Sequence, residues 1–259
     1  MKQYILSFTG AGRVAAALCR EFYRKEFIIS QIISESEQRG RKLAGLYSAA
    51  WSDKPEFDND TDLIIVAVPD HKLRDILGRI KCSGKTIVAH TAGSFGLDAF
   101  PSYMKRTGIL YPLQTFTVGR EIDFRSVPIF IEASDSYSSS ILKSVAESIG
   151  ASVWFTDADH RKMLHLAAVF VCNFTNHLLT TGKDLTAKAG LPFDVLKPLI
   201  TETFMKALEI GPENSQTGPA VRNDRATIEG HLMLLAHSEQ LQHIYEIMTA
   251  SIINYHKKS

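Results

Sequence analysis

The chain has 259 residues, enough for one or two domains with a sizeable core at the usual size of about 150 residues each. It carries 29 Lys and Arg against 28 Asp and Glu, a net charge of +1, so no basic field indicates nucleic acid and no acidic tail indicates disorder. Three cysteines without paired spacing argue against a disulfide framework or a cysteine zinc site.

Cysteine usage and the apolar segments favour a reduced, cytoplasmic setting. The first residues lack the charged start, apolar core and cleavage site of a signal peptide. No apolar run approaches the roughly 20 residues that cross a bilayer. We therefore expect a soluble cytoplasmic protein without nucleic-acid or membrane partners.

Short apolar runs alternate with longer amphipathic or loop segments up to about residue 155. Seven runs have strand length: YILSF, FIISQII, DLIIVAV, KTIVAH, GILY, VPIFIE and ASVWF. Near-continuous apolar strands separated by crossover segments are typical of a parallel sheet covered on both faces. The pattern predicts a doubly wound, mostly parallel α/β domain over residues 1–156.

Long helical patterns replace the strand runs after Asp157. The first covers about 157–190 and ends at Gly190 and Pro192; others cover 193–210, 226–236 and 238–256. The sequence thus predicts an all-α domain over residues 157–259. The first helix has apolar residues on more than one side, which predicts that a second copy of the chain covers the surplus in a homodimer.

The stretch YILSFTGAGRVAAAL contains the pattern G-x-G-x-x-A between the first strand and the first helix. Gly10 permits a tight turn, Gly12 leaves room for a pyrophosphate, and Ala15 lets helix and strand pack closely. The helix N-terminus then faces the phosphates. A glycine turn can match this pattern by chance, but its position favours a dinucleotide site. The predicted contacts are Gly10, Ala11, Gly12, Arg13 and Val14.

The end of the second strand bears on which dinucleotide is bound. Ser34 stands about 20 residues after the fingerprint, where NAD enzymes place an acid on the ribose diol. A serine followed by Arg39 and other cations suits a 2′-phosphate, so NADP is favoured, with Ser34 and Arg39 as contacts. Glu35 opposes this, because it could bind the diol or repel a phosphate, and NAD stays open. The charges could also be a solvated helix face.

Two further loops follow strands, at the sheet edge where such folds bind ligands. The stretch VAVPDHKL places Val68 and Pro69 after one strand, and VAHTAGSFG places His90, Thr91 and Ser94 after the next. We expect Val68, Pro69 and Thr91 to contact the cofactor, and His90 and Ser94 to lie near the reaction. His90 could equally be a packed, partly buried imidazole.

The segments GAGRVA, VAVPD, HTAGS, YPLQTF, HLAAVFVCNF and TGPAVRND together resemble a family of Rossmann-like proteins with a C-terminal domain of unknown function. Its members are described as NADP oxidoreductases related to the deazaflavin-dependent kind. More distantly, the arrangement is similar to the 6-phosphogluconate dehydrogenase superfamily, which includes pyrroline-5-carboxylate and ketopantoate reductases. The resemblance implies a dinucleotide domain, a helical domain that often dimerises, and a catalytic cleft between them.

The long helix departs from that superfamily. Many of its hydroxyacid dehydrogenases have a lysine four residues before an asparagine, but Val169 stands four before Asn173 here. At about 100° per residue, Asn176 falls within roughly 20° of His165 and Asn173 lies about 80° away. These polar side chains either face a cleft or form a buried network. If they face a cleft, we expect His165 to donate the proton, Asn173 and Ser94 to orient the substrate, and Asn176 to contact the substrate.

Arg222, in TGPAVRND, could bind a substrate carboxylate or could pair with Asp224 and order its loop. His231, His237 and His243 recur every six residues, which spreads them around a helix, so we expect no metal. The sequence predicts an NADP-dependent oxidoreductase that moves hydride to or from a small carbonyl, imine or hydroxy compound. The alternative is a non-catalytic NADP-binding sensor or assembly protein.

Overall fold

The computed structural model describes residues 3–117 and 119–257. By its contacts the chain divides into two compact units, Met1–His177 and Leu178–Ser259. The predicted boundary at residue 156 follows the last strand, whereas the two units divide further on, within the long helix.

An eight-stranded sheet forms the centre of the first unit. Its strands are β1 (Ile5–Thr9), β2 (Ile28–Ile33), β3 (Ala50–Ser52), β4 (Leu63–Val66), β5 (Ile87–His90), β6 (Thr107–Pro112), β7 (Pro128–Ala133) and β8 (Ser152–Phe155). All seven predicted runs form strands. The short strand β3 was missed, because only three residues pair with β2 at the sheet edge and none of them is buried.

The strand order is β3-β2-β1-β4-β5-β6-β7-β8, and every neighbouring pair is parallel except β6 and β7. The order reverses between β1 and β4, because β2 and β3 extend one way from β1 and the later strands extend the other. This confirms the predicted doubly wound, mostly parallel sheet. In such sheets ligands bind beyond the carboxyl ends of the strands at the point of reversal.

Four helices of the first unit cover the sheet: α1 (Arg13–Arg24), α2 (Glu37–Gly45), α3 (Leu73–Arg79) and α4 (Ser136–Ser148). Successive residues of β4 point to opposite faces, as the period of two requires. Ile65 belongs to the apolar cluster that includes Leu18 of α1, whereas Ile64 and Val66 belong to the cluster that includes Leu73 of α3. The two clusters bury both faces, so the strand ends lie on a rigid support.

The remaining helices follow the sheet. They are α5 (Ala158–Ala168), α6 (Thr175–Lys188), α7 (Lys197–Ile210), α8 (Pro212–Ser215), α9 (Arg225–Leu234) and α10 (Glu239–His256). The predicted helical segments are therefore confirmed. None of the helices α6 to α10 has a fully buried residue, and Leu208 is 83% exposed. The second unit thus leaves most of its apolar side chains accessible.

Val169–Phe174, a π-helical segment, joins α5 to α6, so the chain is helical from Ala158 to Lys188. In this 31-residue helix one 18-residue window has a mean hydropathy of 1.2, and no residue of that window is buried. By length and composition alone it could cross a membrane, contrary to the expectation that no run approaches that length. A single helix of this kind is weak evidence for a membrane span, and a cytoplasmic location stays a prediction.

Candidate functional site

The glycine turn after β1 has the geometry that the fingerprint requires. Gly10 has a φ of 103°, and a Cβ there would overlap the carbonyl oxygen of Ala67 at the end of β4. Gly12 is the N-cap of α1 and provides no side-chain cap, so the first N–H groups of the helix stay available. No atom of residues 3–117 or 119–257 lies within 4 Å of a Cβ built on Gly12. The turn therefore presents open space and uncapped donors to an anion.

The turn opens into a cleft of ≈ 190 Å³, which we call the glycine-turn cleft. The predicted residues Gly10, Ala11, Gly12, Ser34, Arg39, Val68 and Pro69 line it. Arg13 lines a neighbouring groove instead, Val14 packs against the core, and Thr91 lies outside the lining. The Thr91 hydroxyl approaches the carbonyl of Val66 at 3.5 Å.

At the end of β2, the Ser34 hydroxyl has its hydrogen bonds within the protein. It donates to the carbonyl of Ser36 at 3.0 Å and accepts from the indole of Trp51 at 3.2 Å. A hydroxyl has a single proton to donate, so this one cannot also donate to a phosphate. Ser36 is better placed, because its oxygen only accepts, from the backbone N–H of Arg39 at the start of α2. Ser36 therefore still has a proton to donate, whereas the 2′-phosphate contact of Ser34 stays a prediction that would need a change in its hydrogen bonds.

Glu35, the residue that favoured NAD, is held by a cation. Lys72, just before α3, donates to its carboxylate at 2.5 Å. This hydrogen bond, together with the Lys72 charge, lowers the pKa of Glu35. The carboxylate is therefore ionised and paired, and Lys72 offsets the charge that would otherwise repel a phosphate in the glycine-turn cleft.

His90, at the end of β5, is fully buried and stacks on Phe100 at 5.3 Å between ring centres. Its Nδ1 accepts from the backbone N–H of Ala92 at 3.2 Å, so the neutral ring carries its proton on Nε2. Burial lowers the pKa of His90 to about 4. A neutral, enclosed imidazole cannot reach a substrate or act as an acid near pH 7. The structure therefore favours the packed interpretation over the catalytic one.

His165, in the last turn of α5, contacts Tyr111 near the end of β6. The hydroxyl of Tyr111 lies 3.1 Å from its Nδ1, and the rings meet edge to face at 6.0 Å. Burial, and then the charge of Asp70, raises the pKa of Tyr111, so that the phenol stays neutral. Gly93 makes the contact possible, because a Cβ there would lie 2.9 Å from the Tyr111 ring and 3.0 Å from Nδ1. The HTAGS loop, β6 and α5 thus meet at one point.

Arg161, one turn before His165, ties these elements together from inside. Its side chain is fully buried and donates to the carboxylate of Glu132 on β7 at 2.6 Å. The other terminal nitrogen donates to the carbonyl of Phe95, directly after Ser94, also at 2.6 Å. A buried guanidinium needs such partners because desolvation of the charge is costly. Arg161 therefore holds the HTAGS loop against α5.

The π-helical segment changes the helix geometry assumed from the sequence. Hydrogen bonds from residue i to i+5 put more residues in each turn, so each residue turns the chain by less than 100°. Around the helix axis, Asn173 was expected about 80° from His165, and the smaller turn per residue brings it closer to the face of His165. The same effect moves Asn176, which was expected on that face, away from it. Both asparagines are exposed. Such segments occur frequently at functional sites.

Arg222 belongs to the second unit. It is exposed and lies near Asp224, which caps α9. Hydrogen bonds from the hydroxyl and the backbone N–H of Thr227 lower the pKa of Asp224, and the Arg222 charge adds to that effect. No described residue forms a hydrogen bond or ion pair with the Arg222 side chain, so both alternatives for Arg222 stay predictions. Among residues 3–117 and 119–257, no group of three His, Cys, Asp or Glu side chains could hold a metal ion.

Sequence reasoning missed four residues of this site. Tyr111 stood in the YPLQTF segment without a role, Ser36 stood two residues after Ser34, and Lys72 stood three residues after Pro69. Arg161 had a usable signal, since it precedes His165 by four positions and so shares its helix face. A charged residue on that face is a candidate to contact the same cleft or the strands and loops that form it.

Two family models match the chain: a Rossmann-like domain over residues 2–115 and a domain of unknown function, DUF2520, over residues 127–252. A crystal structure of a proposed NADP oxidoreductase from Bacteroides fragilis is 37% identical, with a TM-score of 0.88 and coverage of 97% of this chain and 98% of that one. No curated protein matches.

Two more distant structures share the fold alone. 1-Pyrroline-5-carboxylate reductase from Streptococcus pyogenes is 14% identical, with a TM-score of 0.61 and 98% of each chain covered. A reductive aminase from Aspergillus terreus, solved with NADPH4, cyclohexanone and allyl amine, is 11% identical; its TM-score is 0.71, with 98% of this chain and 95% of that one covered.

Proposed function

The chain belongs to the family of Rossmann-like proteins that carry the DUF2520 domain, and from that premise we propose that it is an NADP-dependent oxidoreductase. Its substrate would be a small carbonyl, imine or hydroxy compound. The observation that carries the proposal is the glycine turn, where Gly12 leaves open space above the uncapped N-terminus of α1. The 37% identical structure described as a proposed NADP oxidoreductase supports the same cofactor.

The residues of the glycine-turn cleft fit NADP. Backbone N–H groups after Gly12 would hold the pyrophosphate, as helix N-termini do. Ser36 and Arg39 would hold the 2′-phosphate, because the Ser36 hydroxyl is free to donate and the exposed Arg39 side chain adds a planar fork of donors. The ion pair of Glu35 with Lys72 reduces the repulsion that Glu35 would otherwise exert. NAD remains the alternative cofactor.

When bound, NADPH supplies the hydride, and the protein supplies orientation and the proton. We propose that His165 is the proton donor at Nε2. In the protonated ring Nδ1–H donates to the Tyr111 oxygen, 3.1 Å away, and keeps that bond after Nε2 releases its proton. Tyr111 thus positions His165 and selects which nitrogen exchanges protons. The reverse sequence would serve oxidation.

Two further polar residues, Ser94 and Asn173, would orient the substrate. Ser94 stands beside Gly93 on the loop that Arg161 holds, and makes no hydrogen bond among the described residues. Asn173 lies in the π-helical segment beyond His165 and is exposed. Their hydroxyl and amide groups suit a carbonyl or imine. Asn176 and Arg222 stay proposed substrate contacts, Arg222 for a carboxylate.

The test combines cofactor titration with turnover. We expect NADPH to bind more tightly than NADH in calorimetry. With a panel of small oxo acids and cyclic imines, His165→Ala should keep NADPH affinity but lose turnover by roughly 10²- to 10⁴-fold. His160→Ala, at an exposed position on the same helix, is the matched control. Absent dinucleotide binding, or equal turnover in both variants, would contradict the proposal.

A non-catalytic NADP-binding sensor is the second candidate, favoured by one observation. Val169 stands where related hydroxyacid dehydrogenases have a lysine, so that acid–base pair is absent from this chain. A sensor would bind NADPH as tightly as an enzyme but would show no turnover with any substrate, and His165→Ala would then have no catalytic effect to measure.

We also propose that the protein is a homodimer. Helices α6, α7, α9 and α10 bury no side chain fully, and exposed apolar residues such as Leu208, Leu234 and Met233 are each more than 70% accessible. Monomeric proteins rarely expose so much apolar surface. A second copy of the chain is the partner that would cover it.

A further inference from the structure

A groove separates α1 from α2 on the surface of the first unit. Its volume is ≈ 490 Å³, larger than that of the glycine-turn cleft beside it. We call it the α1–α2 groove. Five cations line it: Arg13, Arg20, Arg39, Lys42 and Arg120. Between them lies an apolar floor made of Ala16, Ala17, Leu43, Leu46, Phe116 and Ile122.

The charges of this groove are unbalanced. None of the described residues that line it is an aspartate or glutamate, whereas the glycine-turn cleft contains Glu35, Asp53 and Asp75. Other cations on the same two helices are neutralised, since Arg24 pairs with Glu21 and Arg41 with Glu37. Arg20 shares the carboxylate of Glu21 with Arg24, whereas no described carboxylate pairs with the other four cations of the groove. Like charges without enough counter-charge repel one another, and an anion in the groove would relieve that repulsion.

The partners of the individual cations support the same conclusion. Arg20 contacts Glu21 through Nε at 3.2 Å, but its Nη2 is buried and has no hydrogen-bond partner in the part of the chain described. A buried donor without a partner is costly. The side chains of Arg13, Arg39 and Lys42 form no ion pair with any described residue. Arg13 of α1 and Arg39 and Lys42 of α2 thus line one groove without an acceptor among the described residues.

We propose that the α1–α2 groove binds a phosphate monoester, held between Arg20 of α1 and Lys42 of α2. A dianion matches several cations better than a single carboxylate does, and the guanidinium fork fits phosphate oxygens. The apolar floor would contact the group that carries the phosphate. The inference rests on the charges of the groove and not on oxidoreductase activity.

The phosphate could come from two sources. Because the groove shares Ala11, Gly12 and Arg39 with the glycine-turn cleft, the 2′-phosphate of NADP could extend into it. Alternatively, a separate phosphorylated molecule could bind there beside the cofactor. Both sources require Arg20 and Lys42, which the glycine-turn cleft does not use.

The test uses the full-length protein and calorimetric titration with three probes: 2′,5′-ADP, 5′-AMP and inorganic phosphate. The variants are Arg20→Gln and Lys42→Gln. Arg24→Gln is the matched control, because Arg24 lies on α1 outside the groove. Thermal denaturation checks that each variant folds, and the exposed Lys42 keeps the test valid if the Arg20 variant does not.

Each source predicts a different result. If the 2′-phosphate occupies the groove, each variant should weaken 2′,5′-ADP about tenfold and leave 5′-AMP unchanged. If a separate molecule binds, NADPH-saturated protein should still take up inorganic phosphate, and the variants should lose that binding. Unchanged affinity for all three probes in both variants would overturn the inference. If the variants lose phosphate binding and the wild-type protein shows no turnover, the oxidoreductase proposal fails and the proposed phosphate site stands.

Discussion

Replacing Arg161 by methionine should destabilise the first unit strongly. The guanidinium is fully buried between the carboxylate of Glu132 and the carbonyl of Phe95, each 2.6 Å away. Methionine fills a similar space but removes the charge. The Glu132 carboxylate is then left largely buried without its cation, and the Phe95 carbonyl loses its donor.

The magnitude follows from the burial of the pair. Removing one partner of a buried ion pair costs about 3–5 kcal/mol, and the 19% exposure of the Glu132 side chain places the cost near the lower end. About 3 kcal/mol lowers the melting temperature by roughly 6–12 °C in a unit of this size. Both tryptophans, Trp51 and Trp154, lie in the first unit, so urea denaturation followed by their fluorescence reports on that unit.

Two further variants test whether burial of the ion pair causes the loss of stability in Arg161→Met. Arg74→Met removes an exposed pair with Asp98 and should cost no more than about 1 kcal/mol. In the Arg161→Met background, Glu132→Leu should recover part of the loss, because the uncompensated charge is gone. If Arg161→Met costs no more than Arg74→Met, the clamp does not hold the HTAGS loop as described.

Four other changes test the site and the assembly. Gly12→Val should leave the melting temperature unchanged, because its Cβ meets open space, yet abolish NADPH binding in calorimetry. Gly93→Ala should push the Tyr111 ring off its contact and lower turnover, with NADPH affinity unchanged. His90 contributes about 3 kcal/mol to the free energy of unfolding above pH 6.5, and this contribution is lost as the pH falls to about 4. The reason is that only the unfolded state takes up a proton on this histidine between the two pH values. His90→Gln should therefore flatten the pH dependence of the free energy of unfolding in this range. Light scattering should give twice 28.8 kDa, and Leu208→Glu should return the particle towards 28.8 kDa.

Each of these four predictions would be contradicted by a specific result. NADPH binding by Gly12→Val at wild-type affinity would remove the pyrophosphate assignment. Full turnover in Gly93→Ala would show that the Tyr111 contact does not matter. A His90→Gln protein with the wild-type pH dependence would place the titration elsewhere, and a 28.8 kDa particle at every concentration would remove the dimer.

The fold was predictable because its signals are local and repeated. Seven apolar runs form strands, and the glycine turn occupies the junction of β1 and α1 that its spacing requires. Strand β3 was not predictable, since Ala50–Ser52 pairs through its backbone with β2 and buries no side chain. A backbone pairing of three residues leaves no hydrophobic period to detect.

The site was predictable only in part, because hydrogen-bond partners are a property of the folded chain. Ser34 carried the right chemistry, but Trp51 and the Ser36 carbonyl use its hydroxyl, and neither partner can be inferred from its spacing. His90 and His165 looked alike as sequence, yet one is enclosed beside Phe100 and the other meets Tyr111 at a partly exposed position. Burial separated two histidines that residue type could not.

The reversed direction of β7 decides where the long helix begins. Because β7 and β8 run opposite to β6, β8 ends away from the edge where β1, β4 and β5 end. Helix α5 therefore starts at the far side and travels towards the ligand-binding edge, reaching Arg161 first and Tyr111 at His165. With an all-parallel sheet, the same helix would start at that edge and carry His165 away from it. One change of strand direction thus brings a side chain that follows the whole sheet in sequence to Tyr111, near the ligand-binding ends of the earlier strands.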